Sequence, residues 1–279
     1  MANVSSKVFD RLSTGIKRFQ PILNNAKSRD VNESDTVIII TDMLSEIFGY
    51  DKYSEITSEF MIRSTYCDLA IKLDGKLAFL LEVKAIGLEL KDNFVKQAVD
   101  YAANQGVDFV VLTNGVLWKV YKITFAKPVD SELVFEIDFL TLNNKNKDDA
   151  EKLSLLSKEG WQKSFLYDYH SQKQALSKFF LSAILLSDTI IEVVRRELRK
   201  ISPDVKVSSE QIKEVIFKEV LKREVIEGEK AEEAKKKINK VFSKISKTKV
   251  HKQNSDNSGD DKSAVQENDE EKTIPQSID

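Results

Sequence analysis

The chain has 279 residues, of which 41% are hydrophobic and 32% charged, and its formal net charge is −2. This length and apolar content suffice for one well-buried core, and the apolar runs are too short to cross a bilayer. One cysteine and two histidines exclude an intramolecular disulfide and a structural zinc site. Residues 1–20 lack the apolar core of an export signal, so we expect a reduced, cytoplasmic setting and no membrane partner.

Three regions of the chain differ in composition and in the spacing of their apolar residues. Residues 1–145 mix helical and alternating apolar patterns, and residues 146–247 follow helical spacing throughout. Residues 248–279 contain four lysines, eight acidic residues and no aromatic residue, which leaves the rest of the chain at +2. A segment this polar cannot offset its ordering entropy by burial. We therefore predict an α/β domain, a helical domain for packing, dimerisation or DNA contact, and a disordered acidic tail.

The first predicted element is a helix that begins at the cap-prone sequence Asn32-Glu33-Ser34-Asp35-Thr36 and ends at Gly49. Its apolar residues recur at helical spacing, although the run Val37-Ile38-Ile39-Ile40 would locally suit a strand. Two strand candidates follow at residues 55–62 and 66–73.

Asp74-Gly75 predicts a hairpin turn that leads into residues 77–83, a nearly all-apolar strand buried on both faces. Helical spacing returns at residues 91–104, and Gly106 ends that helix. The remaining predicted elements are strands at residues 107–112 and 116–123, joined by a Thr113-Asn114-Gly115 turn, and an edge strand at residues 133–140. This order predicts a mixed β-sheet flanked by helices.

Charged residues interrupt two of the apolar strands. Asp68 lies in one strand, and Glu82 and Lys84 lie at the end of the strand that the hairpin folds back beside it. Residues two apart in a strand share a face, so we expect Glu82 and Lys84 to project together. Two carboxylates suit Mg²⁺, and a neighbouring lysine can orient water or stabilise charge at a phosphate. Each residue alone is commonly a solvated strand residue, but charges in central strands are costly unless they are paired or bind a metal.

These residues resemble the PD-(D/E)xK nuclease signature, with Asp68 followed by Glu82-Val83-Lys84. Their surroundings are similar to the N-terminal nuclease domain of type I restriction-enzyme restriction subunits and to stand-alone predicted type IV restriction endonucleases. The resemblance covers residues 30–125. Its further matching segments are Asn32-Glu33-Ser34-Asp35-Thr36, Tyr66-Cys67-Asp68-Leu69-Ala70-Ile71, Gln97-Ala98-Val99-Asp100-Tyr101 and Leu112-Thr113-Asn114-Gly115.

The resemblance implies a restriction-endonuclease-like fold in which Asp68 and Glu82 bind Mg²⁺, or Mn²⁺, and Lys84 is the catalytic lysine. It places Gln97 and Tyr101 beside the site, where they contact the DNA backbone or order the lysine; a plain helix-surface pair is the alternative. Glu33 supports a metal-bound water, or it is simply a carboxylate favoured by the helix dipole.

Two features depart from the family. Cys67 stands where the motif's name has proline, and the chain has no G-x-x-x-x-G-K-[ST] sequence for a nucleotide. We therefore expect no nucleotide cofactor and no motor activity, so the chain either cuts alone or lends a nuclease to partner restriction subunits.

In the helical region, Arg195, Arg196, Arg199 and Lys200 form a basic cluster that either contacts DNA phosphates or is a solvated helix end. The apolar stripes of this region are packing faces, against the nuclease core or against a second copy in a homodimer. Taken together, the sequence predicts a Mg²⁺-dependent DNA endonuclease of restriction type. The alternatives are a catalytically silent DNA-binding or assembly module and an RNA-directed nuclease of the same chemistry.

Overall fold

The computed structural model describes the backbone of residues 4–62, 65–125 and 128–256, with their side chains except those of residues 59–66 and 243–256. The chain divides into two compact units, with the boundary after Lys173. Within the described residues, no helix is long and apolar enough to cross a membrane.

Six strands of the first unit, counted over the described residues, form one sheet in the spatial order β1 to β6. Neighbouring strands are antiparallel except β3 and β4, which are parallel, so the sheet is mixed as predicted. The strands are β1 Ile56–Ile62, β2 Thr65–Leu73, β3 Lys76–Val83, β4 Phe109–Thr113, β5 Leu117–Thr124 and β6 Asp130–Asp138.

Helices cover both faces of this sheet. Leu69 and Leu81 belong to the apolar cluster that contains residues of the helices at Ser6–Ser28, Glu33–Glu46 and Lys147–Ser154. Ala70 and Leu80 belong to the cluster that contains residues of the helix at Lys96–Gln105. Because side chains alternate along a strand, the middle of the sheet is buried on both faces. The helices are α1 Ser6–Ser28, α2 Glu33–Glu46, α3 Lys96–Gln105, α4 Lys147–Ser154, α5 Lys158–Gln162 and α6 Phe165–Ala175, with 3₁₀ turns at Asp92–Val95 and Phe139–Thr141.

The predicted turn at Asp74-Gly75 and the predicted helix end at Gly106 are confirmed, whereas α2 ends at Glu46, before its predicted end at Gly49. Asp74 and Gly75 both have positive φ, 51° and 74°, as the tight turn between β2 and β3 requires. Gly106 ends α3 with φ 67°. The edge strand β6 begins earlier than predicted and ends at Asp138, because the Asp138 carboxylate accepts a hydrogen bond from the Leu140 amide and starts a 3₁₀ turn.

Helix α1 is an element that the sequence analysis does not predict. Its apolar residues recur every three or four positions, which is the spacing of an amphipathic helix. The buried ones are Val8, Leu12, Ile16, Phe19, Leu23 and Ala26.

The first unit also extends beyond the predicted boundary at residue 145. Leu153, Leu156 and Leu166 of the following segment are buried in the same apolar cluster as α1 and α2. The Tyr50 hydroxyl donates a hydrogen bond to the Leu156 carbonyl at 2.9 Å. Helices α4 to α6 therefore complete the core of the α/β unit, and the predicted boundary falls inside it.

The second unit is helical, as predicted for this region. Helix α7 contacts α10 and α11, and α8 contacts α9. Residues 248–256 of the predicted tail are helical because the last helix runs to Asp256, and residues 257–279 lie outside the described residues. The elements are α7 Lys178–Leu185, α8 Asp188–Ile201, α9 Ser209–Val215, a π-helical turn Ile216–Val220, α10 Arg223–Ile226 and α11 Glu229–Asp256.

Candidate active site

The structure brings the predicted Asp68, Glu82 and Lys84 together at the end of β3. The register that pairs Leu69 with Leu81 places Asp68 across from Glu82. The Asp68 carboxylate reaches further along the neighbouring strand, and its Oδ2 accepts a hydrogen bond from the Val83 amide at 2.7 Å. The acid of β2 therefore lies against the residue between Glu82 and Lys84.

Lys84 joins this group through its ammonium. Its Nζ lies 2.8 Å from Glu82 Oε1 and 2.8 Å from the Val83 carbonyl oxygen. Its main-chain amide donates to the Thr113 carbonyl at 2.9 Å, which continues the pairing between β3 and β4. Lys84 is thus held at both its backbone and its side chain.

Burial makes the two carboxylates costly to ionise. Glu82 is only 8% exposed, and Asp68 is half-buried. Burial raises the pKa of Asp68, although the Val83 amide and Lys84 oppose the rise. Burial also raises the pKa of Glu82, against the hydrogen bond from Lys84, and the charge of Asp68 raises it further. The site therefore holds two like charges that are partly shielded from water, and a bound cation would stabilise both.

Lys84 supplies one positive charge to the site. Burial alone would lower the pKa of the Lys84 ammonium, but its hydrogen bond to Glu82 and the charges of Glu82, Glu33 and Asp68 outweigh burial. The pKa is raised as a result, so the lysine is an ammonium at neutral pH. One cation facing the buried Glu82 and the half-buried Asp68 leaves the group with an excess of negative charge when both carboxylates are ionised.

The donor chemistry of this position fits Mg²⁺ or Mn²⁺. Among the described residues, no three His, Cys, Asp or Glu side chains are grouped so as to enclose a metal ion. Mg²⁺ does not need such a cage, since it is usually held by one or two carboxylates and keeps several waters. Asp68 Oδ1 and Glu82 Oε2 are the carboxylate oxygens that the contacts above leave for an ion.

Glu33 approaches the site from another element. It is the first residue of α2, whose N-cap Asn32 accepts a hydrogen bond from the Asp35 amide at 2.9 Å. Glu33 Oε2 lies 3.6 Å from Lys84 Nζ, and the Glu33 side chain is 49% exposed. The structure therefore places Glu33 at the open side of the group, in contact with the lysine.

Gln97 and Tyr101 lie on α3, which packs against β3 and β4. Gln97 Nε2 donates a hydrogen bond to the Tyr101 hydroxyl at 2.9 Å, and Tyr101 is buried. The two residues act as a pair on the helix that covers the same sheet face as Leu80. Their predicted contact with DNA or with the lysine stays a prediction.

The predicted basic cluster lies on α8 in the second unit. Arg195 is half-buried and donates to the Val207 carbonyl at 3.2 Å, so its guanidinium also has a structural role. Glu197 forms ion pairs with Arg196 at 3.6 Å and with Lys200 at 2.8 Å. Arg199 is exposed. The cluster therefore has two parts. Arg195 is packed, whereas the other three basic residues are exposed and lie near Glu197.

Cys67 holds β2 against β3 beside the site. Its Sγ donates to the Leu81 carbonyl of β3 at 3.0 Å. Burial and the charges of Glu82 and Asp68 raise the pKa of the thiol to about 12, so Cys67 is not a nucleophile at neutral pH. Cys67 therefore serves packing and strand pairing.

Two buried polar residues that the sequence analysis did not assign to the site also adjoin it. Thr36 and Asn114 are 0% and 7% exposed, and both form hydrogen bonds with the chain that follows Lys84. Thr36 belongs to a predicted helix cap and Asn114 to a predicted turn, and both lie in segments that carry the family resemblance, but no pattern assigns either residue a role at the site. One sequence signal could have identified Thr36: it is a polar residue at a position that the apolar spacing of the helix predicts to be buried.

Comparison with known proteins finds one family match, over part of the first unit. Residues 39–136 match the family model described as "Type I restriction enzyme R protein N terminus". The matched segment lies within the first unit and contains Asp68, Glu82, Lys84, Gln97 and Tyr101, whereas Glu33 and the second unit lie outside it. Of the resemblance predicted over residues 30–125, the part to type I restriction subunits is confirmed over residues 39–125. No curated protein and no solved structure matches the chain.

Proposed function

We propose that this chain is a metal-dependent DNA endonuclease of restriction type, with its active site formed by Asp68, Glu82 and Lys84. The observation that carries the proposal is the meeting of these three side chains at the end of β3 inside a segment that matches a restriction-enzyme family. Charged side chains in a central strand need a partner or an ion. Here two carboxylates face one lysine, so one negative charge lacks a positive partner.

In the proposed reaction, Asp68 and Glu82 hold Mg²⁺ or Mn²⁺ through their oxygens. The ion, when bound, lowers the pKa of water and polarises the phosphate. Lys84 donates a hydrogen bond to a non-bridging phosphate oxygen and stabilises the negative charge that develops there. Water attacks the phosphorus atom in line and gives up a proton to solvent, the bond from phosphorus to the leaving oxygen breaks, and that oxygen takes up a proton from solvent, so the products are a phosphate monoester and an alcohol.

Glu33, Gln97 and Tyr101 complete the proposal as accessory residues. Glu33 balances the charge of Lys84 from the solvent side, at 3.6 Å. Gln97 and Tyr101 contact the DNA backbone from α3. The chain acts alone, as a homodimer, or as the nuclease of a complex with partner restriction subunits, and it uses no nucleotide.

The test is cleavage of a supercoiled plasmid, methylated and unmethylated, with Mg²⁺ or Mn²⁺. The variants are Asp68→Ala and Lys84→Ala, and Lys76→Ala is the matched control because Lys76 is exposed at the other end of β3. We expect the chain and the control to cut, both site variants to be slower by at least about 100-fold, and chelation to stop cutting, because such groups act as a unit.

Two results would contradict the proposal. Equal cutting by all variants would assign the activity to another site or to a contaminant. Binding of DNA without cutting, on every substrate and with either metal, would favour a catalytically silent module. A parallel assay on an RNA of the same sequence distinguishes a deoxyribonuclease from an RNA-directed nuclease.

A further inference from the structure

The connection that follows Lys84 is held in place by side chains from other elements. Residues 84–91 have neither helix nor strand structure, so their main-chain groups need partners from elsewhere. Thr36 of α2 and Asn114 of the turn between β4 and β5 bond Ile86 and the Leu88 carbonyl, while Lys119 of β5 donates to the Leu90 carbonyl at 3.0 Å. We call the first two residues the Thr36–Asn114 clamp.

Thr36 contributes one hydroxyl with two hydrogen bonds. Its Oγ1 donates to the Asn32 carbonyl at 2.8 Å and accepts from the Ile86 amide at 3.2 Å. The side chain is fully buried, so water cannot replace either partner. The first turn of α2, which also carries Glu33, is thereby tied to the chain two residues after Lys84.

Asn114 contributes both ends of its amide. Its Nδ2 donates to the Ile86 carbonyl at 3.3 Å and to the Leu88 carbonyl at 3.0 Å. Its Oδ1 accepts from the Val116 and Leu117 amides at 3.1 and 2.8 Å, which closes the turn after β4. One side chain therefore shapes its own turn and also holds the connection.

The clamp acts on the residue next but one to Lys84. Ile86 is bonded at its amide by Thr36 and at its carbonyl by Asn114, while Lys84 itself is bonded at its amide by the Thr113 carbonyl. Between these points only Ala85 intervenes. The backbone that aims the Lys84 side chain at Glu82 is thus fixed before and after the lysine.

We infer that Thr36 and Asn114 are positioning residues for Lys84, and this inference rests on the proposed function. Loss of the bonds from either clamp residue lets the connection move and displaces the Lys84 ammonium. Misplacement of a reacting group by about 1 Å can cost about 100-fold in rate. The clamp should therefore affect turnover far more than DNA binding.

Four variants separate positioning from general stability. Thr36→Val keeps the shape and removes the hydroxyl, whereas Thr36→Ser restores the hydroxyl. Asn114→Asp keeps the oxygen that closes the turn and removes the donor to Ile86 and Leu88. Thr41→Val is the matched control, because the Thr41 hydroxyl of the same helix donates only within α2, to the Val37 carbonyl at 2.8 Å.

Two measurements are made on the folded full chain. The first is kcat and KM for plasmid cleavage. We expect Thr36→Val and Asn114→Asp to lower kcat by roughly tenfold or more with KM within about threefold, and Thr36→Ser and Thr41→Val to stay within about twofold.

The second measurement is the NMR signal of Lys84 Nζ, assigned through Lys84→Arg. It should shift in Thr36→Val and Asn114→Asp but not in Thr36→Ser or Thr41→Val.

The two measurements distinguish failure of this inference from failure of the proposed function. An unmoved Lys84 signal in Thr36→Val and Asn114→Asp overturns the inference, whatever the activity. If the unaltered chain cuts nothing while the Lys84 signal moves in those two variants alone, the clamp positions Lys84 and only the proposed function is wrong. Equal loss of kcat in Thr36→Val, Thr36→Ser and Thr41→Val also overturns the inference.

Discussion

The Asp68 carboxylate accepts a hydrogen bond from the Val83 amide at 2.7 Å, across the boundary between β2 and β3. Val83 lies between Glu82 and Lys84, so this one bond fixes the acid of one strand to the acid–lysine pair of the next. A slip of one residue between these strands would turn Asp68 to the other face of the sheet. The proposed active site therefore depends on the register of the β2–β3 hairpin.

Replacing Asp68 by asparagine should stabilise the metal-free fold at neutral pH. The pKa of Asp68 is raised in the folded chain, so its ionised form costs stability, and the loss appears as the pH rises through the folded pKa. The asparagine side chain would keep the acceptor for the Val83 amide and lose the charge. The expected difference in free energy of unfolding is near zero below the ordinary pKa of 3.8 and grows to a plateau above the raised value.

The measurement is urea unfolding of the chain and of Asp68→Asn in a chelator, from acid to neutral pH. A variant that is less stable than the original chain at neutral pH would show that ionised Asp68 is stabilising, and would contradict the role of burial in raising its pKa.

Divalent metal should reverse the order of stability. An ion that binds the folded chain alone stabilises it by about 2.7 kcal/mol at a free concentration of about 100 times Kd. Mg²⁺ or Mn²⁺ should therefore raise the Tm of the original chain and leave the Tm of Asp68→Asn much less changed, because one of two carboxylates has lost its charge. Thermal unfolding with and without metal checks this. Equal rises in both proteins would place the ion elsewhere.

The position of the domain boundary predicts which fragment folds. Residues 1–173 contain α4, α5 and most of α6, and residues 1–145 lack the buried Leu153, Leu156 and Leu166. The shorter fragment also lacks Glu159, whose Oε1 accepts a hydrogen bond from Arg11 of α1 at 2.7 Å. We expect residues 1–173 to unfold cooperatively on heating and residues 1–145 to lack a cooperative transition, since several large apolar side chains would leave the core. Circular dichroism compares the two, and similar transitions in both would contradict the boundary.

If the basic cluster on α8 contacts DNA, we expect the affinity for DNA to fall as the salt concentration rises. Each phosphate contact contributes about 0.9 to the slope of log affinity against log salt concentration. Joint replacement of Arg196 and Arg199 by alanine should reduce that slope by about twice this amount. Glu197→Gln should strengthen binding, since Glu197 now pairs with Arg196 and Lys200. Fluorescence anisotropy over a range of salt measures both, and an unchanged slope would identify a solvated helix end.

Much of the α/β unit could be predicted because its signals are local. The helix over Glu33–Glu46, the turn at Asp74-Gly75 and the stop at Gly106 each follow from neighbouring residues. The meeting of Asp68 with Glu82 and Lys84 was also predictable, because a tight turn sets the register of the two strands it joins. The roles of Thr36 and Asn114 were not, because each holds a segment that is distant in sequence.

By itself, the sequence determined the elements of the sheet, the family resemblance over residues 30–125 and the convergence of an acid, a second acid and a lysine on adjacent strands. All of these depend on hydrophobic period, turn residues and short-range register. Only the tertiary structure decided that α1 and α4 to α6 complete the core, that Glu33 of α2 contacts Lys84, and that Thr36 and Asn114 fix the chain behind it. These are contacts between residues far apart in the chain, and no local pattern encodes which distant partner a buried polar group will find.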